Sequence, residues 1–112
     1  MSISDRLHRI LKTLPEGVQL VAVSKFHPAE RLEEAYEAGQ RIFGESRPQE
    51  MAAKAAILPK DIEWHMIGHL QTNKVKMIAP FVTMISSVDS DRLIEEIEKQ
   101  AAKNNRTIDI LL

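Results

Sequence analysis

Val18-Gln19-Leu20-Val21-Ala22-Val23-Ser24-Lys25-Phe26-His27-Pro28 is the stretch on which the fold turns. Residues 18–23 are short, β-branched and nearly all apolar, as a strand covered on both faces must be. A dinucleotide-binding sheet would follow such a strand with a Gly-x-Gly-x-x-Gly turn. Ser24-Lys25-Phe26-His27 stands there instead, and Pro28 suits the first turn of a helix. Arg31 to Ala38 carries Leu32, Ala35 and Tyr36 on one side, and Gly39 suits the left-handed residue that closes a helix.

Upstream, Ile3, Leu7, Ile10, Leu11 and Leu14 share a helical face, with Ser2 and Asp5 spaced as a capping box and Pro15-Glu16-Gly17 as the stop. Downstream, strand and helix alternate. Arg41-Ile42-Phe43 reads as a second strand. Ser46 and Gln49 then resemble a capping box for a helix running to Leu58 and stopped by Pro59. Ile62 to Ile67 is a third strand, and Thr72 is the expected N-cap of a helix that ends before Pro80. Phe81 to Ile85 is a fourth strand. Asp89 or Ser90 caps a helix with Leu93, Ile94, Ile97 and Ala101 on one face, Asn104-Asn105 ends it, and Ile108 to Leu112 is a fifth strand. Strict alternation predicts a parallel sheet with helical crossovers. Periodicity leaves half of a barrel and a small doubly wound sheet both open, because a barrel needs eight strands.

Composition narrows the function. The 112 residues are 44% hydrophobic and 28% charged with a formal net charge of −1, so nothing attracts nucleic acid or an anionic membrane. One Trp, one Tyr and three Phe are too few for a base-stacking platform. With no cysteine, disulfides and thiolate chemistry are excluded. The N-terminus lacks the pattern of a signal peptide, and no apolar run reaches membrane-spanning length, so a cytoplasmic location is expected.

In parallel βα architecture the loops leaving the strands' C-terminal ends open on one face, where ligands bind. On that face the sequence collects Ser24, Lys25 and His27, then Glu45, Ser46 and Arg47, then His65, Gly68, His69, Gln71 and Asn73, then Ser86, Ser87, Asp89 and Ser90. The opposite loops read as plain turn chemistry. Lys25 has the clearest use: an amine attacks an aldehyde only when neutral, and an apolar strand end lowers its pKa by desolvation. A snorkelling surface lysine is the bland alternative. His65 and His69, four apart, would suit a metal on a helix, but Gly68 and the β-rich run before it argue against one, and a third ligand is not evident. Glu45 and Asp89 have the chemistry of acid–base groups, yet each also suits a loop or helix-start role.

Three motifs carry a family resemblance: Leu20-Val21-Ala22-Val23-Ser24-Lys25, Phe43-Gly44-Glu45-Ser46-Arg47-Pro48-Gln49-Glu50 and the segment Trp64 to Lys74. In this order they resemble the pyridoxal phosphate homeostasis protein family, which is related to the N-terminal barrel domain of alanine racemase. Ser87-Val88-Asp89-Ser90 and Ile108 to Leu112 also fit. The resemblance implies an α/β fold, the N-terminal half of a (β/α)8 TIM-type barrel with parallel strands and a leading helix. It implies pyridoxal 5'-phosphate as cofactor, held as a Schiff base on Lys25, and a role in intracellular vitamin B6 and amino-acid homeostasis without defined catalytic turnover. Ser46 stands where the family most often has asparagine, keeping a hydrogen-bonding group with shorter reach, and His65 is a ring-side neighbour. A racemase-type enzyme using the same lysine, or a cofactor-free structural fragment, are the alternatives.

Members of that family are about twice as long, and their later strands carry the serine- and glycine-rich loops that hold the phosphate. Residues 1–112 are therefore expected to form one partial pyridoxal-phosphate-binding barrel domain, truncated at its C-terminus. Such a chain is expected to form an imine at Lys25 weakly or not at all unless a second copy or the missing half completes the barrel, and to self-associate through open sheet edges.

Overall fold

The structure, a computed structural model, describes residues 3–15, 17, 19–23 and 28–112. Among them, five parallel strands form one sheet in the order β1-β2-β3-β4-β5: Ala22–Val23, Ile42–Glu45, Glu63–Met66, Val82–Ile85 and Asp109–Ile110. The leading helix α1 (Ile3–Thr13) precedes them. Helices α2 (Ala29–Glu37), α3 (Pro48–Ile57) and α5 (Asp91–Lys103) make three of the crossovers. The fourth is a 3-10 turn, Thr72–Lys74, that continues as α4 (Val75–Ile78). The expected alternation is present, with every strand pair parallel.

Burial is one-sided. Phe43 pairs with Trp64 and Glu45 with Met66, and all four side chains are at most 2% exposed. With Ile85 they face Leu32, Met51, Ala55, Val75, Ile78, Leu93 and Ile97 of the helices, which form one continuous core. The alternate positions form a row across the sheet, Val23, Gly44, His65, Met84 and Asp109. There Val23 is 51% exposed, His65 and Met84 are half-buried and Asp109 is exposed. The period of two along a strand accounts for the contrast. A register shift between Trp64 and His65, opposite Thr83, keeps Met84 on the open row and Ile85 on the helix side.

Several boundaries differ from expectation. The first strand is confined to Ala22–Val23, with Gln19 exposed and Leu20 and Val21 half-buried. As an edge strand it pairs only with β2, so the two-sided burial read from its composition is absent among the described residues. The side chain of Gln40 ties its approach to β2, donating to the carbonyls of Leu20 and Ile42 at 2.7 Å each. Among the apolar residues of α1, Leu7 is buried, whereas Ile10 and Leu11 are exposed.

Ser46 is not a helix cap. Pro48 occupies the first turn of α3, and proline forces the preceding residue into extended backbone, so Arg47 (φ −122°, ψ 120°) is the N-cap without a side-chain cap bond. Thr72 likewise is not a cap but the first residue of its turn, with Gln71 before it. Ser90, rather than Asp89, caps α5, its Oγ accepting from the Leu93 N–H at 3.1 Å. Gly39 (φ 109°) and Asn105 (φ 52°) take the left-handed conformation that ends α2 and α5, as anticipated.

Candidate functional site

Because the strands are parallel, their C-terminal ends share one edge of the sheet, and the residues that leave them converge. Lys25, with Ser24, Phe26 and His27, lies outside the described residues. Beside that segment, Val23 is in register with Gly44, and Gly44 with His65. The Ile67 N–H donates to the Glu45 carbonyl at 2.9 Å, and the Ser86 N–H to the Met66 carbonyl at 2.9 Å, so three strand ends are stitched together. Ser46 and His65 are thereby brought to the same end of neighbouring strands.

Two glycines set the spacing. A Cβ on Gly44 would lie 3.1 Å from Ile67 Cδ1 and 3.2 Å from Val21 Cγ1, so its missing side chain lets two apolar groups close over the strand. A Cβ on Gly68 would lie 3.1 Å from the Ser46 Cβ, so Ser46 sits directly against the β3 loop. After β4, Ser87 adopts φ 58°, uncommon for a non-glycine residue and a mark of a constrained turn. Asp89 and His69 are exposed, and Arg47 lies on the surface beside Ser46. Among the described residues, this edge gathers the apolar groups over Gly44, the imidazole of His65 and the hydroxyl of Ser46. Those groups suit a small planar ligand with hydrogen-bonding substituents.

Partial burial pushes the His65 imidazole below its ordinary value of 6.5, while the carboxylates of Glu63 and Asp109 pull it back. The neutral ring, with one donor and one acceptor, is thus the form the fold favours.

Glu45 does not face this row. Its carboxylate is fully buried on the helix side and accepts from Lys54 Nζ at 2.7 Å, with Glu50 3.2 Å from the same ammonium. Lys54 is a functional candidate absent from the sequence reading. A pair this enclosed is held by its geometry, and loss of one partner costs about 3–5 kcal/mol.

The opposite end of the sheet is richer than plain turns. The Tyr36 hydroxyl donates to Asp61 at 2.5 Å, Arg41 Nε lies 3.2 Å from the same carboxylate, and the guanidinium stacks 3.7 Å from the Tyr36 ring centre. The bond from Tyr36 holds the Asp61 carboxyl below its usual range and raises the phenol. This clasp is exposed and joins the end of α2 to the loop before β3.

No protein-family model matches the chain. Curated relatives do: pyridoxal phosphate homeostasis proteins of Aquifex aeolicus (38% identical, 100% of this chain and 54% of that protein) and of Mus musculus (43% identical, 95% and 43%). Among solved structures, PipY of Synechococcus elongatus PCC7942 with pyridoxal phosphate bound superimposes with a TM-score of 0.92 at 45% identity, over 99% of this chain and 53% of PipY. PipY without the cofactor gives 0.91 at 44% identity, over 97% and 52%. The class is therefore an α/β protein whose parallel sheet matches the N-terminal half of a TIM-barrel-like fold. In sequence and in fold, the chain matches the N-terminal half of the pyridoxal phosphate homeostasis family. It spans about half the length of the curated relatives it matches. Among the described residues, no helix is long and apolar enough to cross a membrane.

The lowered pKa of His65 gives a signed expectation. Below about 6.5 an unfolded chain takes up the proton first, so the contribution of His65 to stability is present above that pH and is lost as pH falls towards the depressed value. Histidine-resolved NMR titration should place its midpoint below 6.5, and Asp109→Asn should lower it further. A midpoint at or above 6.5 would contradict this electrostatic picture.

Proposed function

We propose that this chain forms part of a pyridoxal 5'-phosphate site at the C-terminal ends of β1 to β3, with Lys25 as the attachment point and Ser46 and His65 beside the ring. The observation that carries the reading is the row Val23, Gly44 and His65, whose strand end adjoins Ser24-Lys25 in sequence. The 45% identity to PipY, solved with pyridoxal phosphate bound, supports it.

The groups present fit such a ligand. Ile67 and Val21, packed over Gly44, give the site an apolar side, Ser46 offers a hydroxyl, and a neutral His65 adds no second cation beside the lysine. When bound, the cofactor supplies an electrophilic aldehyde carbon. Lys25, as the free amine, attacks that carbon. A C=N bond forms and water leaves, so the cofactor is retained as a Schiff base. In this reading residues 1–112 are one partial barrel domain, and the biological role is vitamin B6 and amino-acid homeostasis without catalytic turnover of its own.

Borohydride reduction of the chain at saturating pyridoxal 5'-phosphate, which traps even a weakly populated imine, followed by peptide mass spectrometry, tests the attachment. A pyridoxyl group on Lys25 that disappears in Lys25→Ala is expected. Label scattered evenly over surface lysines, and unchanged by that substitution, sinks the reading.

Assembly follows from the edges. Val23 on β1 is 51% exposed, and Ile110, Leu111 and Leu112 at β5 are 36%, 57% and 86% exposed. Parallel sheets are ordinarily covered on both faces, and open edges recruit further strands. The 112-residue chain should therefore self-associate, giving sedimentation coefficients that rise with concentration. A monomer at every concentration would count against association.

A further inference from the structure

We infer that the buried Glu45–Lys54 ion pair is a positioning device for the cofactor end of β2, an inference that rests on the site proposed above. Glu45 is the last residue of β2, and Lys54 lies two turns into α3. Between β2 and α3 there are only two residues, Ser46 and Arg47. A 2.7 Å contact between side chains that are 0% and 8% exposed therefore clamps both sides of the turn that carries Ser46. Glu50, 3.2 Å from the same ammonium, adds the first turn of the helix to the clamp. The Glu45 carbonyl accepts from the Ile67 N–H at 2.9 Å, which passes the constraint to the β3 end. There Gly68 leaves no room for a side chain against Ser46.

Among the described residues, the pair lies on the helix side of the sheet and reaches Ser46 and the β3 end through the backbone. Glu45 is thus not an acid–base group of the cofactor site. The ammonium–carboxylate contact is a charge-assisted hydrogen bond, which adds a preferred direction to the apolar packing around it. Apolar replacement of both partners often preserves stability, which allows position and stability to be separated by experiment.

The test is Glu45→Leu/Lys54→Met in the full 112-residue chain, with Glu45→Gln/Lys54→Met as the alternative should the first double variant not fold. Two quantities are measured against wild type at a temperature where both are folded. One is the rate of borohydride-trapped labelling of Lys25 by pyridoxal 5'-phosphate, and the other is amide hydrogen exchange of Ile67 without cofactor. Labelling slower by about tenfold or more, together with faster exchange of the Ile67 amide, is expected. Wild-type labelling rates or an unchanged Ile67 amide in the variant overturn the positioning role alone. Absence of Lys25 label in wild type overturns the cofactor site itself, and the exchange measurement still decides whether the pair holds the turn.

Discussion

Parallel hydrogen bonding between β2 and β3 is the constraint from which the site geometry follows. Four register pairs, Ile42 with Glu63 through Glu45 with Met66, align two strand ends side by side, and the Ile67 N–H adds one more bond beyond them. A slip of one residue would send His65 to the helix side and bring Trp64 to the open row, because successive side chains face opposite ways. The buried Phe43, Trp64, Met66 and Met51 oppose any such slip.

The same alternation divides labour between the faces. On the helix side, apolar packing and one enclosed ion pair lock β2 to α3. On the open side, glycine, imidazole and hydroxyl leave a shallow row at one end. The polar groups proposed to meet the cofactor thus occupy positions that the core does not need, while the core determines where those positions sit. His65 illustrates the coupling: its half-burial, imposed by its neighbours in the sheet, favours the uncharged ring.

Most of the architecture was legible in the sequence because parallel strands and crossover helices leave strong apolar periods. Gly39, Asn105, Pro59 and Pro80 marked the breaks correctly. The errors have local causes. The spacing of Ser46 and Gln49 imitates a capping box, but Pro48 moves the cap to Arg47 and leaves Ser46 facing the β3 loop. Thr72 misled for a similar reason, since its helix begins as a 3-10 turn. The apolar run before Lys25 suggested a longer and fully covered strand than Ala22–Val23, because composition does not reveal which strand is at an edge. Lys54 has a visible signal, a lysine on the apolar stripe of Met51, Ala55 and Leu58, which a buried acid explains and a snorkelling side chain would also explain. That acid is Glu45, whose position at a strand end also suits a loop or acid–base role in the sequence. Of the three site residues read from sequence, Ser46 and His65 are placed at neighbouring strand ends, and Lys25 lies outside the described residues.

In the proposed site, the amine of Lys25 and the imidazole of His65 share a single small ligand at the C-terminal end of the sheet. A crystal structure of the chain grown with pyridoxal 5'-phosphate measures this directly. Continuous density from Lys25 Nζ to the aldehyde carbon, with the pyridine ring beside His65 and Ser46, is the expected result. A ring lodged on the helix side or at the Pro59–Pro80 end of the sheet would contradict it.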